Sequence, residues 1–212
     1  MNLPNKLTIF RIILVPIMVI IPFFNIDGEM FNIPITWLLI DLIFIIASIT
    51  DKLDGYLARK NNQVTNFGKF LDPIADKILV VAAMILFVGM GRLPAWIPII
   101  VIFREFAVSG YRLIAVQNNG EVIAANVWGK LKTVTQMIAI ILMFLTTQPY
   151  FAFVMRAKTE QDALVNSALT YMTTGDFVMN ILASIFMTVS VIATIFSGYE
   201  YLKGGKDLLK DC

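Results

Sequence analysis

The chain has 212 residues, 58% of them hydrophobic and 15% charged, with a mean hydropathy of +0.77. That is too apolar and too sparsely charged for a soluble domain of this length, and a formal net charge of +2 is too small to argue for nucleic acid. Histidine is absent and Cys212 is the only cysteine, which excludes imidazole chemistry and any internal disulfide.

The apolar residues fall in blocks long enough for helices of about 20 residues, the length that crosses about 30 Å of hydrocarbon. Six spans are predicted: Thr8 to Phe24, Pro34 to Lys60, Phe67 to Met90, Pro94 to Gln117, Trp128 to Thr147 and Phe177 to Leu202. The first block is long and lacks a small-residue cleavage site, so a retained span is expected rather than a cleaved leader. Pro34, Gly89, Gly91, Pro94, Gly120 and Pro149 punctuate the junctions. Trp37, Trp96 and Trp128 fit span ends as an interfacial belt. No repeat or long linker divides the chain. The expectation is one all-α integral membrane domain over residues 1–212, a bundle of six transmembrane helices.

Orientation follows from the basic residues. With a cytoplasmic N-terminus, only Arg92, Arg156 and Lys158 of the 17 Lys and Arg fall outside, as the inward bias of basic residues requires. Both termini are then cytoplasmic, and the segment from Tyr150 to Gly175 is external, lying partly along the interface.

The stretch from Thr50 to Lys77 carries the chemistry. Asp51 and Asp54 are three residues apart, and Asp72 and Asp76 four apart, spacings that put each pair on one helical face. Gly55, Ala58 and Gly68 keep those faces low in bulk. Carboxylates about 4 Å apart repel by up to about 4 kcal/mol at an effective dielectric near 20, and ionisable groups at membrane depth need a partner or a cavity. Any two of these aspartates can be solvated interfacial carboxylates paired with Lys52, Arg59, Lys69 or Lys77. Four together point to bound divalent cations. Hard oxygen ligands suit Mg²⁺, Mn²⁺ or Ca²⁺, and a two-metal site can polarise a phosphoryl group.

The string Asp51-x2-Asp54-Gly55-x2-Ala58-Arg59-x8-Gly68-x3-Asp72-x3-Asp76 resembles the complete signature of the CDP-alcohol phosphotransferase family. NLPNKLTIFRIILVP at the N-terminus, FREFAVSGYRLIA from Phe103 and GKLKTVTQM from Gly129 are similar to the bacterial phosphatidylglycerophosphate synthase branch. These matches end near Thr147. The resemblance implies transfer of the phosphatidyl group of CDP-diacylglycerol to sn-glycerol 3-phosphate, with release of CMP. It implies metal ligation by Asp51, Asp54, Asp72 and Asp76, two Mg²⁺ or Mn²⁺ ions, and Asp76 as general base. The CDP-lipid would be bound by Asn5, Thr8, Gly55, Ala58, Arg59 and Gly68. A homodimer in the bacterial plasma membrane, with its active site on the cytoplasmic side, is implied as well.

An anionic acceptor needs cations. Arg104 and Arg112 lie eight apart in the fourth predicted span, and Lys130 and Lys132 open the fifth. These four are the candidates for the acceptor phosphate, with snorkelling to the headgroup level as the alternative for the lysines. Glu105 can hold one of the arginines. Three competing functions stand beside this one. Another member of the family could use inositol phosphate, serine or phosphatidylglycerol as acceptor. A membrane prenyltransferase would carry two well-separated acidic motifs, whereas both pairs here fall within 26 residues. A divalent-cation transporter would place its carboxylates near the bilayer midplane, in an inverted repeat.

Overall fold

The computed structural model describes residues 3–24, 26–60, 66–117, 127–151 and 174–204. Helix α1, Leu3–Ile20, opens with Pro4 in its first turn, where a missing N–H does no harm, and ends in a 3-10 turn over Ile21–Phe24. It begins at Leu3 rather than at the predicted Thr8. A short hairpin follows, β1 (Glu29–Met30) pairing antiparallel with β2 (Ile33–Pro34). Its two central residues, Phe31 and Asn32, have φ of 57° and 62°, the left-handed pair of a type I′ turn. Gly28 enters the hairpin at φ 119°, and a Cβ there would meet Ile35 Cδ1 at 2.8 Å. Five further helices complete the described chain: α2 (Ile35–Lys60), α3 (Asn66–Gly89), α4 (Trp96–Gln117), α5 (Val127–Phe144) and α6 (Thr174–Gly204). Nearly all of the predicted interfacial stretch from Tyr150 to Gly175 lies outside the described residues.

Helix α1 packs on both α2 and α3, α5 lies along α6, and α4 also packs on α6. The shared core includes Ile40, Phe44, Leu79, Phe87, Ile140, Phe144 and Met187, with the Phe87 and Phe144 rings 4.3 Å apart. Among the described residues three segments are long and apolar enough to cross a membrane: Asn5–Phe24, Val127–Phe144 and Gly175–Tyr201. The other three predicted spans form helices of comparable length, but each carries a group of charges. Asp51 and Lys52 lie in α2, Asp72, Asp76 and Lys77 in α3, and Arg104, Glu105 and Arg112 in α4. Asp51, Asp72, Asp76, Arg104 and Arg112, five of these charges, are candidate site residues.

Contacts define two ends of the bundle. At one end Arg92, in the α3–α4 turn, is buried and donates through Nη2 to the carbonyls of Met143 and Thr146. Those carbonyls close the C-terminal end of α5, where backbone acceptors lack helical partners and a cation is favoured. The guanidinium also lies 4.3 Å from the Trp37 ring centroid. Arg92 and Trp37, expected as an external charge and a belt residue, are thus both part of a packed clamp across α2, α3 and α5. Tyr150 N donates to the Arg92 carbonyl at 2.8 Å, and Asn180 on α6 donates to the Pro149 carbonyl at 3.0 Å. Arg92→Ala is expected to destabilise the fold by about 3 kcal/mol, from the loss of two charge-assisted hydrogen bonds. Thermal unfolding of the detergent-solubilised protein measures it, and an unchanged midpoint would contradict the clamp.

Candidate active site

The opposite end gathers the C-terminal part of α2, the N-terminal parts of α3 and α5, and the middle of α1. Arg11, an isolated cation among the apolar residues of α1, is fully buried, and its Nη1 lies 2.6 Å from Asp51 Oδ1. Asp76, on α3, lies within electrostatic reach of Asp51, Arg11, Glu105 and Lys132. One carboxylate of each predicted pair is therefore within electrostatic reach of the other. Asp54 and Asp72 belong to the same two helices, and their side chains lie outside the described residues. The surroundings of Gly55, Ala58, Arg59, Gly68 and Arg112 likewise lie outside the described residues. Asn5 and Thr8 are buried on α1, 7% and 1% exposed. Among the described residues no three acidic side chains group as a metal site. The two described donors, Asp51 and Asp76, are hard oxygen ligands and fit a divalent cation such as Mg²⁺ or Mn²⁺.

A cleft of about 90 Å³ adjoins Asp76 between α3, α4 and α5. Lys77, Arg104, Glu105, Lys132, Thr133 and Gln136 supply its other polar walls. Glu105 organises them. Its Oε1 accepts from Lys132 Nζ and, at 3.0 Å, from Arg104 Nη1, and Lys77 Nζ stands 3.8 Å from its Oε2. Arg104 Nη2 also donates to Ser197 on α6, and Lys77 to Ser109 on α4. Three cations face two carboxylates, so the cleft carries one excess positive charge.

Several of these roles exceed what the chain order reveals. Glu105, expected to hold one arginine, holds Arg104 and Lys132 and faces Lys77. Arg11 and Lys77, read as topological charges, stand at the site. Lys132 lines the cleft, while Lys130, two residues earlier, is exposed and does not.

Carboxylates where two helices meet, beside a cation-lined cleft in an apolar helical protein, fit a membrane enzyme acting on phosphate groups. The chain belongs to the CDP-alcohol phosphatidyltransferase family, whose model matches residues 1–196. It is 42% identical to the CDP-diacylglycerol–glycerol-3-phosphate 3-phosphatidyltransferase of Bacillus subtilis (strain 168), over 99% of this chain and 97% of that relative. The enzyme of the same name from Haemophilus influenzae is 37% identical over 99% of this chain and 96% of the relative. That from Rickettsia bellii is 34% identical over 97% and 96%. All three similarities run well past Thr147, where the motif resemblance ends.

Proposed function

We propose that the protein transfers the phosphatidyl group of CDP-diacylglycerol to sn-glycerol 3-phosphate, giving phosphatidylglycerophosphate and CMP. The observation that carries this reading is the position of Asp76. It lies within electrostatic reach of Asp51 and lines the cationic cleft, so a group seated there can serve both a metal-bound phosphate and an acceptor. The relatives named for this reaction support the choice of acceptor. Six spans with both termini in the cytoplasm, and a homodimer with its active site on the cytoplasmic side of a bacterial membrane, belong to the same proposal. The inward bias of basic residues supports the orientation.

In this reading Asp51, Asp54, Asp72 and Asp76 hold two divalent cations, Mg²⁺ or Mn²⁺. Bound there, the cations supply charge neutralisation of the diphosphate and polarisation of the lipid-side phosphorus. Asn5, Thr8, Gly55, Ala58, Arg59 and Gly68 form the surface for the CDP-lipid, the small residues allowing close approach to backbone. Lys132 and Arg104 within the cleft, with Arg112, take the acceptor phosphate. Glu105 holds the first two extended toward it. Asp76 receives the proton of the attacking hydroxyl, since no imidazole is available and a base must lie within hydrogen-bond reach of that proton. The bond from acceptor oxygen to phosphorus forms as the bond to the CMP oxygen breaks.

The test is CMP release from CDP-diacylglycerol by the purified protein with Mg²⁺ or Mn²⁺, across a panel of acceptors. Glycerol 3-phosphate is expected to support turnover at least about tenfold above serine, inositol phosphate and phosphatidylglycerol, a margin of about 1.4 kcal/mol in transition-state binding. Turnover with serine or inositol phosphate but not glycerol 3-phosphate would assign a different acceptor.

A further inference from the structure

Arg11 has no place in the scheme above, yet its burial is the most complete of any charged side chain among the described residues. A guanidinium at 0% exposure in an apolar helix is costly unless a counter-charge meets it. The counter-charge is Asp51, which opens the acidic motif, and the contact at 2.6 Å joins α1 to α2. Arg11 also lies within electrostatic reach of Asp76, the aspartate that closes the motif. One buried cation thus acts on both described carboxylates of a site with four.

We propose that Arg11 is a positioning residue, a resident cation that shares Asp51 with the divalent ions and thereby sets the affinity of the metal site. This rests on the proposed metal role of the aspartates. Carboxylates that share a metal site repel each other, and a fixed positive charge among them relieves part of that repulsion in every state of the protein. The same charge opposes an incoming divalent ion. It therefore makes the fold less dependent on metal and makes metal binding weaker and more reversible. A guanidinium suits this task because it stays charged when buried and presents several donors in a fixed fork.

The experiment uses the full chain in detergent, with Mn²⁺ as the ion. Free Mn²⁺ is followed by electron paramagnetic resonance, and thermal unfolding is recorded with and without Mn²⁺. Arg11→Gln is expected to bind Mn²⁺ about tenfold more tightly than wild type, as loss of a nearby like charge requires. It should unfold at lower temperature without Mn²⁺ and regain most of that loss when Mn²⁺ is added. Arg11→Met, which fills similar buried space, takes its place if the glutamine variant does not fold. Arg11→Lys keeps the charge and should bind Mn²⁺ within about threefold of wild type. Unchanged or weaker Mn²⁺ affinity in the neutral variants, with equal loss of thermal stability in both conditions, would overturn the proposal and leave Arg11 as a packing residue. A tenfold weaker affinity in Arg11→Lys would also overturn it, since geometry rather than charge would then govern Asp51. Wild-type protein that neither binds Mn²⁺ nor is stabilised by it would instead remove the metal reading of the aspartates, and this proposal with it.

Discussion

Asp76→Asn is expected to lower CMP release by about 10³-fold, the scale on which a positioned base contributes, while CDP-diacylglycerol remains bound. The substitution replaces one carboxylate oxygen by an amide nitrogen at nearly constant volume, so cavity terms do not enter. Its electrostatic effect on the fold is small, because Asp76 faces charges of both signs. Burial disfavours its negative charge most, Asp51 and Glu105 repel it, and Arg11 and Lys132 attract it, so neutralising the carboxyl relieves burial and repulsion as it gives up attraction. The thermal midpoint should therefore stay near that of wild type, which separates lost chemistry from lost structure. The discriminating measurement is retention of the CDP-lipid by the inactive variant. Asp51, Asp54 and Asp72 remain to hold the cations in this reading, so the diphosphate keeps its counter-charge; lipid binding that fell along with turnover would leave Asp76 a metal ligand alone. If turnover stays near normal, Asp76 is not the base, and the cleft beside it loses its role.

How much of this was legible in the chain order depends on the range of each interaction. Helix bounds from α2 to α4 lie within two residues of the predicted spans, because Pro34, Gly89, Pro94 and the apolar blocks act locally. The acidic motif was legible for the same reason, since three- and four-residue spacings fix a face without reference to any other helix. The hairpin at Glu29–Pro34 was not, because Phe31 and Asn32 adopt left-handed backbone without the glycine that would announce it. The partners of the charged residues were the least legible. Arg11 meets Asp51 forty residues on, Glu105 meets Lys132 twenty-seven on, and Arg92 meets Met143 fifty-one on. Each pairing depends on which helices become neighbours, which periodicity within one helix does not encode. A signal for Arg11 was nonetheless present, since a lone cation in an apolar span implies a buried partner.

The same logic makes Lys132 the most informative residue of the acceptor cleft. It is 5% exposed, lines the cleft and donates to Glu105. Lys132→Met keeps the apolar stem and removes one charge. Glu105 retains Arg104 at 3.0 Å and Lys77 at 3.8 Å, so no carboxylate is left buried without a counter-charge, and the fold should tolerate the change. The cleft then loses its excess positive charge, and a phosphate dianion entering it loses one charge-assisted contact, worth about 2–3 kcal/mol. The KM for glycerol 3-phosphate should rise about 30- to 100-fold, with the KM for CDP-diacylglycerol within about threefold of wild type. Lys132→Arg, which restores the charge at the same position, should recover most of the acceptor affinity. A lysine that merely tied α5 to α4 through Glu105 would behave differently. Its loss would lower the thermal midpoint and shift both KM values together, because the same movement of α5 would disturb both substrates.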